Sequence, residues 1–155
     1  RFYPTSPRID EAQFGLAMTH FGQMRAPERD QTETRAALAQ FEEFFRSYPD
    51  SDLTQDARTR WREARDRLSQ NFYSVGYYYY RTNWFPGAIS RFEEILDTDP
   101  GFTGRDAVYF YLAESLARTG DPEGAVPYLE RLLTEFDSSD YLEDANRRLS
   151  ELTAR

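Results

Sequence analysis

The chain has no cysteine, no lysine and a single histidine, His20. Without cysteine there is no disulfide, thiolate metal site, cysteine nucleophile or lipidated cysteine within these residues. All 19 basic residues are Arg, so Schiff-base chemistry, a P-loop lysine and a lysine general base also fall away. No run of 18 apolar residues exists, and no segment reads as a membrane span. The 19 basic residues face 27 acidic ones, a net charge of −8 that repels a phosphate backbone, so no nucleic-acid partner is expected. What is plentiful is aromatic: 12 Phe, 11 Tyr and 2 Trp in 155 residues, enough for a packed interior and against wholesale disorder.

Apolar spacing reveals an internal repeat. Ala88, Phe92, Ile95 and Pro100 lie at 0, +4, +7 and +12, and Ala37, Phe41, Phe44 and Pro49 keep the same ruler. Ala125, Leu129, Leu132 and Asp137 keep it again with Asp in the proline place. A second ruler puts Ala57, Ala145 and Ala12 eight residues after Pro49, Asp137 and Pro4, each behind an acid: Asp56, Asp144 and Glu11. After Pro100 the fit is looser, Asp106-Ala107 arriving one residue early. A small residue where two helices approach, large apolar residues on one face and a closing proline describe a tetratricopeptide-like helical hairpin.

The fold class expected is therefore all-α: an α-solenoid of about seven helices with one long central helix. The spacing predicts helices near 8–24, 31–47, 53–80, 84–97, 104–118, 122–135 and 141–153. These form one repeat array over 1–155, with hairpins at 8–49, 53–100 and 104–137 and a terminal helix at 141–153. Start signals are Asp30 with Glu33, Asp52 with Gln55, Asp140 with Glu143, and Asp121 before Pro122. Ala57, Trp61, Ala64, Leu68, Phe72, Val75 and Tyr79 predict one apolar seam down the long helix. Arg1-Phe2-Tyr3-Pro4 reads as the last turn of a helix from an earlier repeat, so the N-terminal repeats and any lipid anchor are expected upstream.

Several runs carry a family likeness. Arg29-Asp30-Gln31-Thr32, Ala36-Ala37, Phe41, Phe44 and Tyr48-Pro49-Asp50-Ser51 resemble the BamD (YfiO) family of outer-membrane-protein assembly lipoproteins. So do Asp56-Ala57, Asp66-Arg67-Leu68, Tyr73-Ser74-Val75, Tyr78-Tyr79, Arg91, Leu96 and Pro100, and the opening Pro4-Thr5-Ser6-Pro7 with Asp10 looks like the start of the family's third repeat. The likeness covers roughly residues 1–136 and would make the chain the last three of five repeats. It implies a non-enzymatic scaffold at the periplasmic face of the outer membrane, docking on the last POTRA domain of BamA. Other lipoproteins of the machinery and nascent outer-membrane proteins are further implied partners. A periplasmic coordinator of the CpoB type, whose second helices also end in Tyr-Pro-x-Ser, is the alternative. The long helix and Tyr73-Ser74-Val75 favour the first, since simple arrays use hairpins of about 34 residues.

The expected partner surface is Tyr77, Tyr80, Arg81, Asn83, Trp84, Arg91 and Glu94. Arg91 precedes core residue Phe92 and so points away from the hairpin interior. Its place matches a family Arg that meets an acidic POTRA residue, for which a planar guanidinium offers two parallel hydrogen bonds. The competing reading is a pair within the helix, to Glu94 or Asp97. Tyr77-Tyr78-Tyr79-Tyr80 and Asn83-Trp84-Phe85 surround a helix end; they cannot all be core, and at least two rings are expected at a partner surface.

Elsewhere the bland reading prevails. Arg58, Arg60, Arg62, Arg65 and Arg67 fall at i,i+4 spacing from acids (Asp56–Arg60, Arg62–Asp66, Glu63–Arg67) as on a solvated face. His20 has no second His beside it, and Gly120-Asp121-Pro122-Glu123-Gly124 lacks the Lys and the strand of a phosphate loop. Asp97-Thr98-Asp99 lacks the spacing of a calcium loop. No nucleophile, base or metal constellation emerges, so no enzyme, metal or cofactor is expected.

Overall fold

A computed structural model describes residues 8–154; Arg1-Phe2-Tyr3-Pro4 and the Pro4-Thr5-Ser6-Pro7 opening lie outside the described residues. Seven helices and no strand occupy the described residues: α1 (Ile9–Gly22), α2 (Thr32–Ser47), α3 (Thr54–Arg81), α4 (Phe85–Thr98), α5 (Arg105–Arg118), α6 (Pro122–Glu135) and α7 (Leu142–Thr153). The apolar period thus fixed each helix to within two residues at either end. The fold is an all-helical, tetratricopeptide-like repeat, and its contacts separate two compact units, Arg1–Asn71 and Phe72–Arg155.

In the first unit α1 packs on α2. The positions of the repeat ruler are its centre: Ala37, Phe41 and Phe44 of α2 and Ala57 of α3 are all fully buried. Phe14 and Phe21 of α1 meet Phe41 edge to face, with centroids 6.3 Å away in both cases. Each buried ring contributes about 1.5–3 kcal/mol by leaving water. The small residue of close approach on α1 is Ala17, wholly buried, and not Ala12, which is exposed. The second ruler holds at Ala57 and Ala145, both fully buried, and fails on α1: Ala12 stands at the same place in its helix as they do, but α1 turns Ala17 inward instead.

In the second unit α4 packs on α5, α5 on α6 and α6 on α7. Ala88, Phe92, Ile95, Phe102, Val108 and Leu112 form one core; Tyr109, Ala113, Ala125, Leu129, Leu132 and Ala145 form the next. Both contain the repeat positions read from the sequence. Tyr109 is fully buried yet satisfied, its hydroxyl donating to Glu135 Oε2 at 2.9 Å.

The α3 seam departs from the expected line in its second half. Ala57, Ala64 and Leu68 are buried as the spacing requires, but Val75 is 36% exposed. Gly76 faces inward in its place: a Cβ there would stand 2.7 Å from the Phe92 ring and 3.2 Å from Arg91 Cβ. Glycine is required because α4 approaches α3 too closely at this point for any side chain.

Helix starts differ from the expected capping boxes. Asp121 does cap α6, accepting from the Gly124 N–H at 2.9 Å, and Asp30 accepts from the Thr32 N–H at 3.1 Å. Before α3 and α7, however, serine does the work instead of Asp52 and Asp140. Ser51 Oγ accepts from the Leu53 N–H at 3.2 Å and donates to Asp10 Oδ2 at 2.5 Å. Ser139 Oγ accepts from the Tyr141 N–H at 3.1 Å and donates to Asp106 Oδ2 at 2.6 Å. The same two-bond clip thus recurs, tying the turn after each hairpin back to the first turn of that hairpin's first helix, Asp10 of α1 or Asp106 of α5.

Candidate partner-binding site

All seven residues expected at a partner surface belong to the second unit, on the end of α3, the α3–α4 turn and α4 as far as Glu94. The turn is a Schellman motif: Trp84 N–H donates to Tyr79 O at 2.9 Å and Asn83 N–H to Tyr80 O at 3.1 Å. Asn83 is the left-handed residue of that motif, with φ 62°. It is exposed, and its backbone sets where α4 begins. Asn is, after glycine, the residue that accepts this conformation most readily.

The turn delivers Trp84 onto the start of α4. Its indole meets Tyr79 edge to face, with centroids 4.6 Å away, and lies over Gly87, where a Cβ would come within 2.7 Å of the ring. Held on those two sides, Trp84 is still 55% exposed. Between it and Arg91 runs a groove of about 380 Å³ lined by Tyr79, Trp84, Pro86, Gly87, Ser90 and Arg91. Arg91 Nη1 donates to Glu94 Oε2 at 3.0 Å, and both side chains are about two-fifths exposed, 40% and 42%. That is the pair within the helix weighed above, and at such exposure it is worth little, about 0.2–0.5 kcal/mol. The guanidinium therefore exchanges partners at small cost.

The tyrosine run divides between interior and surface. Tyr77 and Tyr80 are half-buried: Tyr77 stacks on Tyr73 with planes 8° apart, and both Tyr77 and Tyr80 close on Tyr111, at 5.0 Å and 4.8 Å. Burial in this stack pushes the Tyr73, Tyr80 and Tyr111 phenols up, so they stay neutral hydrogen-bond donors at physiological pH. Arg81, exposed, has its guanidinium 5.9 Å above the Tyr77 ring. Tyr78, outside the expected set, is 64% exposed, the most exposed of the large apolar residues among those described. Two rings, Tyr78 and Trp84, thus stand at the surface. Gly87 and Ser90, which shape the groove, gave no sign in the sequence: a glycine and a serine in a helix have many uses.

His20, Arg60, Arg62 and Arg67 each have a local partner. His20 Nδ1 and Glu33 Oε2 lie 2.6 Å apart. Arg62 pairs with Asp66 at 2.8 Å as expected, whereas Arg60 turns to Glu63 at 3.3 Å, three residues on, in place of Asp56. Arg67 donates to the Arg25 carbonyl at 3.2 Å in place of Glu63. Among the described residues no group of three His, Asp or Glu is placed to hold a metal ion. No helix of the described residues is long and apolar enough to cross a membrane.

The described residues thus form a tetratricopeptide-like helical repeat with an exposed aromatic groove and an arginine at its rim. The family model for the YfiO outer membrane lipoprotein matches residues 1–123, and the chain belongs to that family. It is similar to the outer membrane protein assembly factor BamD of Caulobacter vibrioides, 26% identical over 149 residues, covering 96% of this chain and 49% of the relative. It is also similar to the BamD of Vibrio cholerae serotype O1, 27% identical over 110 residues, covering 64% of this chain and 46% of the relative. The chain spans about half the length of these relatives.

Proposed function

We propose that the chain is a non-enzymatic scaffold of outer-membrane-protein assembly, working at the periplasmic face of the outer membrane. Its partner in this reading is the last POTRA domain of BamA, gripped by the groove between Trp84 and Arg91 with Tyr77, Tyr80, Arg81, Asn83 and Glu94 around it. Other lipoproteins of the machinery and nascent barrel proteins are further partners of the same scaffold. The observation that carries the reading is an exposed indole, fixed on two sides, 7 residues before an arginine whose present ion pair is weak. A buried aromatic anchor beside one charge-assisted clamp is the composition of an interface hot spot. Family membership supplies the assembly context.

The test is calorimetric titration of the chain with a purified fragment holding the last POTRA domain of BamA. Saturable binding by the intact chain, weakened at least tenfold by Trp84→Ala, is expected. Equal binding by Trp84→Ala overturns the site, and no binding by the intact chain overturns the partner.

A further inference from the structure

A row of tyrosine rings ties the last helix to the surface read above as the POTRA site. α7 packs on α6, yet side chains also fasten it, and the turn before it, to α5. Ser139 donates to Asp106 at 2.6 Å at one end of that contact, and Arg148 donates to Glu114 at 2.6 Å at the other. Between them Tyr141, the residue just before α7, lies on Phe110 and Tyr111 of α5, with centroids 5.3 Å and 5.7 Å away. Its hydroxyl faces the phenols of Tyr111 and of Tyr73 on α3.

Tyr111 is the hub of the row. Beyond Phe110 and Tyr141 it meets three rings of α3: Tyr73 at 6.5 Å, Tyr77 at 5.0 Å and Tyr80 at 4.8 Å. Those three form a stack, Tyr73 on Tyr77 with planes 8° apart and Tyr77 on Tyr80 with planes 17° apart. Tyr111 meets Tyr77 and Tyr80 at 61° and 58°, closing the stack from the α5 side. An aliphatic side chain could fill that volume but not reproduce the ring edge. Tyr77 and Tyr80 are half-buried, so packing restrains only their inner sides. A ring left free to change rotamer must be frozen when a partner binds, at about two- to tenfold in affinity for each side chain.

We infer that Tyr111 and Tyr141 are positioning residues, which fix the Tyr77 and Tyr80 rings from behind and let the docking of α7 govern affinity at a surface α7 does not supply. The role of that surface rests on the POTRA reading; the coupling between the rings does not. The coupling runs through touching side chains, from Tyr141 to Tyr111 and on to Tyr77 and Tyr80.

The experiment begins with NMR of the intact chain carrying ¹³C-labelled tyrosine rings. Tyr77→Phe and Tyr80→Phe assign the two signals, and Tyr48, in the first unit, is the internal control. At a temperature where circular dichroism shows full helix content, Tyr141→Ala and Tyr111→Leu should each move the Tyr77 and Tyr80 signals and leave Tyr48 in place. Titration with the fragment holding the last POTRA domain of BamA should then show each variant weakened about threefold to tenfold. Tyr141→Phe, which keeps the ring, should bind within about twofold of the parent. Tyr77 and Tyr80 signals that stay in place in either variant overturn the inference, whatever the affinity does. Parent affinity in both variants overturns it too, since packing alone lowers the melting temperature and nothing else. An equal loss in Tyr141→Phe assigns the effect to the hydroxyl and overturns the ring contact. Failure of the intact chain to bind overturns the POTRA reading, and the ring signals of the free chain then decide the coupling.

Discussion

Arg148 of α7 donates its Nε–H to Glu114 Oε1 of α5 at 2.6 Å, joining two helices that meet through α6. Glu114 is among the few charged residues the fold buries, its side chain only 12% exposed, and Arg148 also holds Glu151 at 2.9 Å. Removing the cation strands a buried carboxylate. Arg148→Leu should destabilise the second unit by about 2–3 kcal/mol, below the figure for a fully buried pair because Arg148 is 28% exposed. Adding Glu114→Gln should recover at least half of that loss. Urea midpoints of the single and double variants check both statements.

The serine clip makes a prediction in acid. The Ser51 hydroxyl holds the Asp10 carboxyl below the ordinary carboxylate range against the opposing effect of desolvation, with lesser help from backbone amides. A carboxylate depressed in the folded state stabilises it above the unfolded value, and that contribution is lost as pH falls through the folded value. In Ser51→Ala the Asp10 titration should therefore move up toward about 4, seen in its carboxyl carbon shift. The stability gap between parent and variant should narrow as pH falls through the depressed Asp10 value. Ser139→Ala, at the matching clip in the second unit, should cost about 1 kcal/mol, a typical loss for a capping hydroxyl.

How much of this was legible in the sequence follows from what each feature depends on. Helix positions and cores came from spacing alone, because an apolar period repeats locally and Ala37, Phe41 and Phe44 declare one face without reference to anything distant. The clips did not. Serine and aspartate stand side by side before α3 and α7, and both are good caps. What selects Ser51 and Ser139 is an acid 41 or 33 residues away, visible only once the hairpin closes. The switch from Val75 to Gly76 is of the same kind, since Phe92 decides it from another helix. Arg148 and Glu114 gave no sign for the same reason, being 34 residues apart. The exposed rings at the end of α3 and in the turn after it, Tyr78 and Trp84, were in contrast legible from composition: too many aromatics stand at one helix end to bury.

Gly87 separates binding from stability. Its Cβ-less surface supports the Trp84 indole, with 2.7 Å to the nearest ring carbon if a methyl were added. Gly87→Ala should gain helix propensity of up to about 1 kcal/mol, offset in part by the displaced ring, so thermal stability should change little. POTRA affinity should nevertheless fall severalfold, because the anchor no longer sits where the groove needs it. Melting and titration of the same variant read the two effects apart. A variant that binds as the parent does would show that Trp84 orientation is irrelevant.

The central claim is that Arg91 leaves Glu94 to clamp a partner carboxylate, and charge reversal addresses it most directly. Calorimetric titration of Arg91→Glu against the last POTRA domain of BamA should show affinity lower by about 2–5 kcal/mol, the range for losing one partner of an interfacial charge pair, with the helical circular dichroism of the chain unchanged. A loss under about 0.5 kcal/mol, the worth of the exposed pair within α4, would contradict the account and leave Arg91 as a residue that merely decorates its own helix.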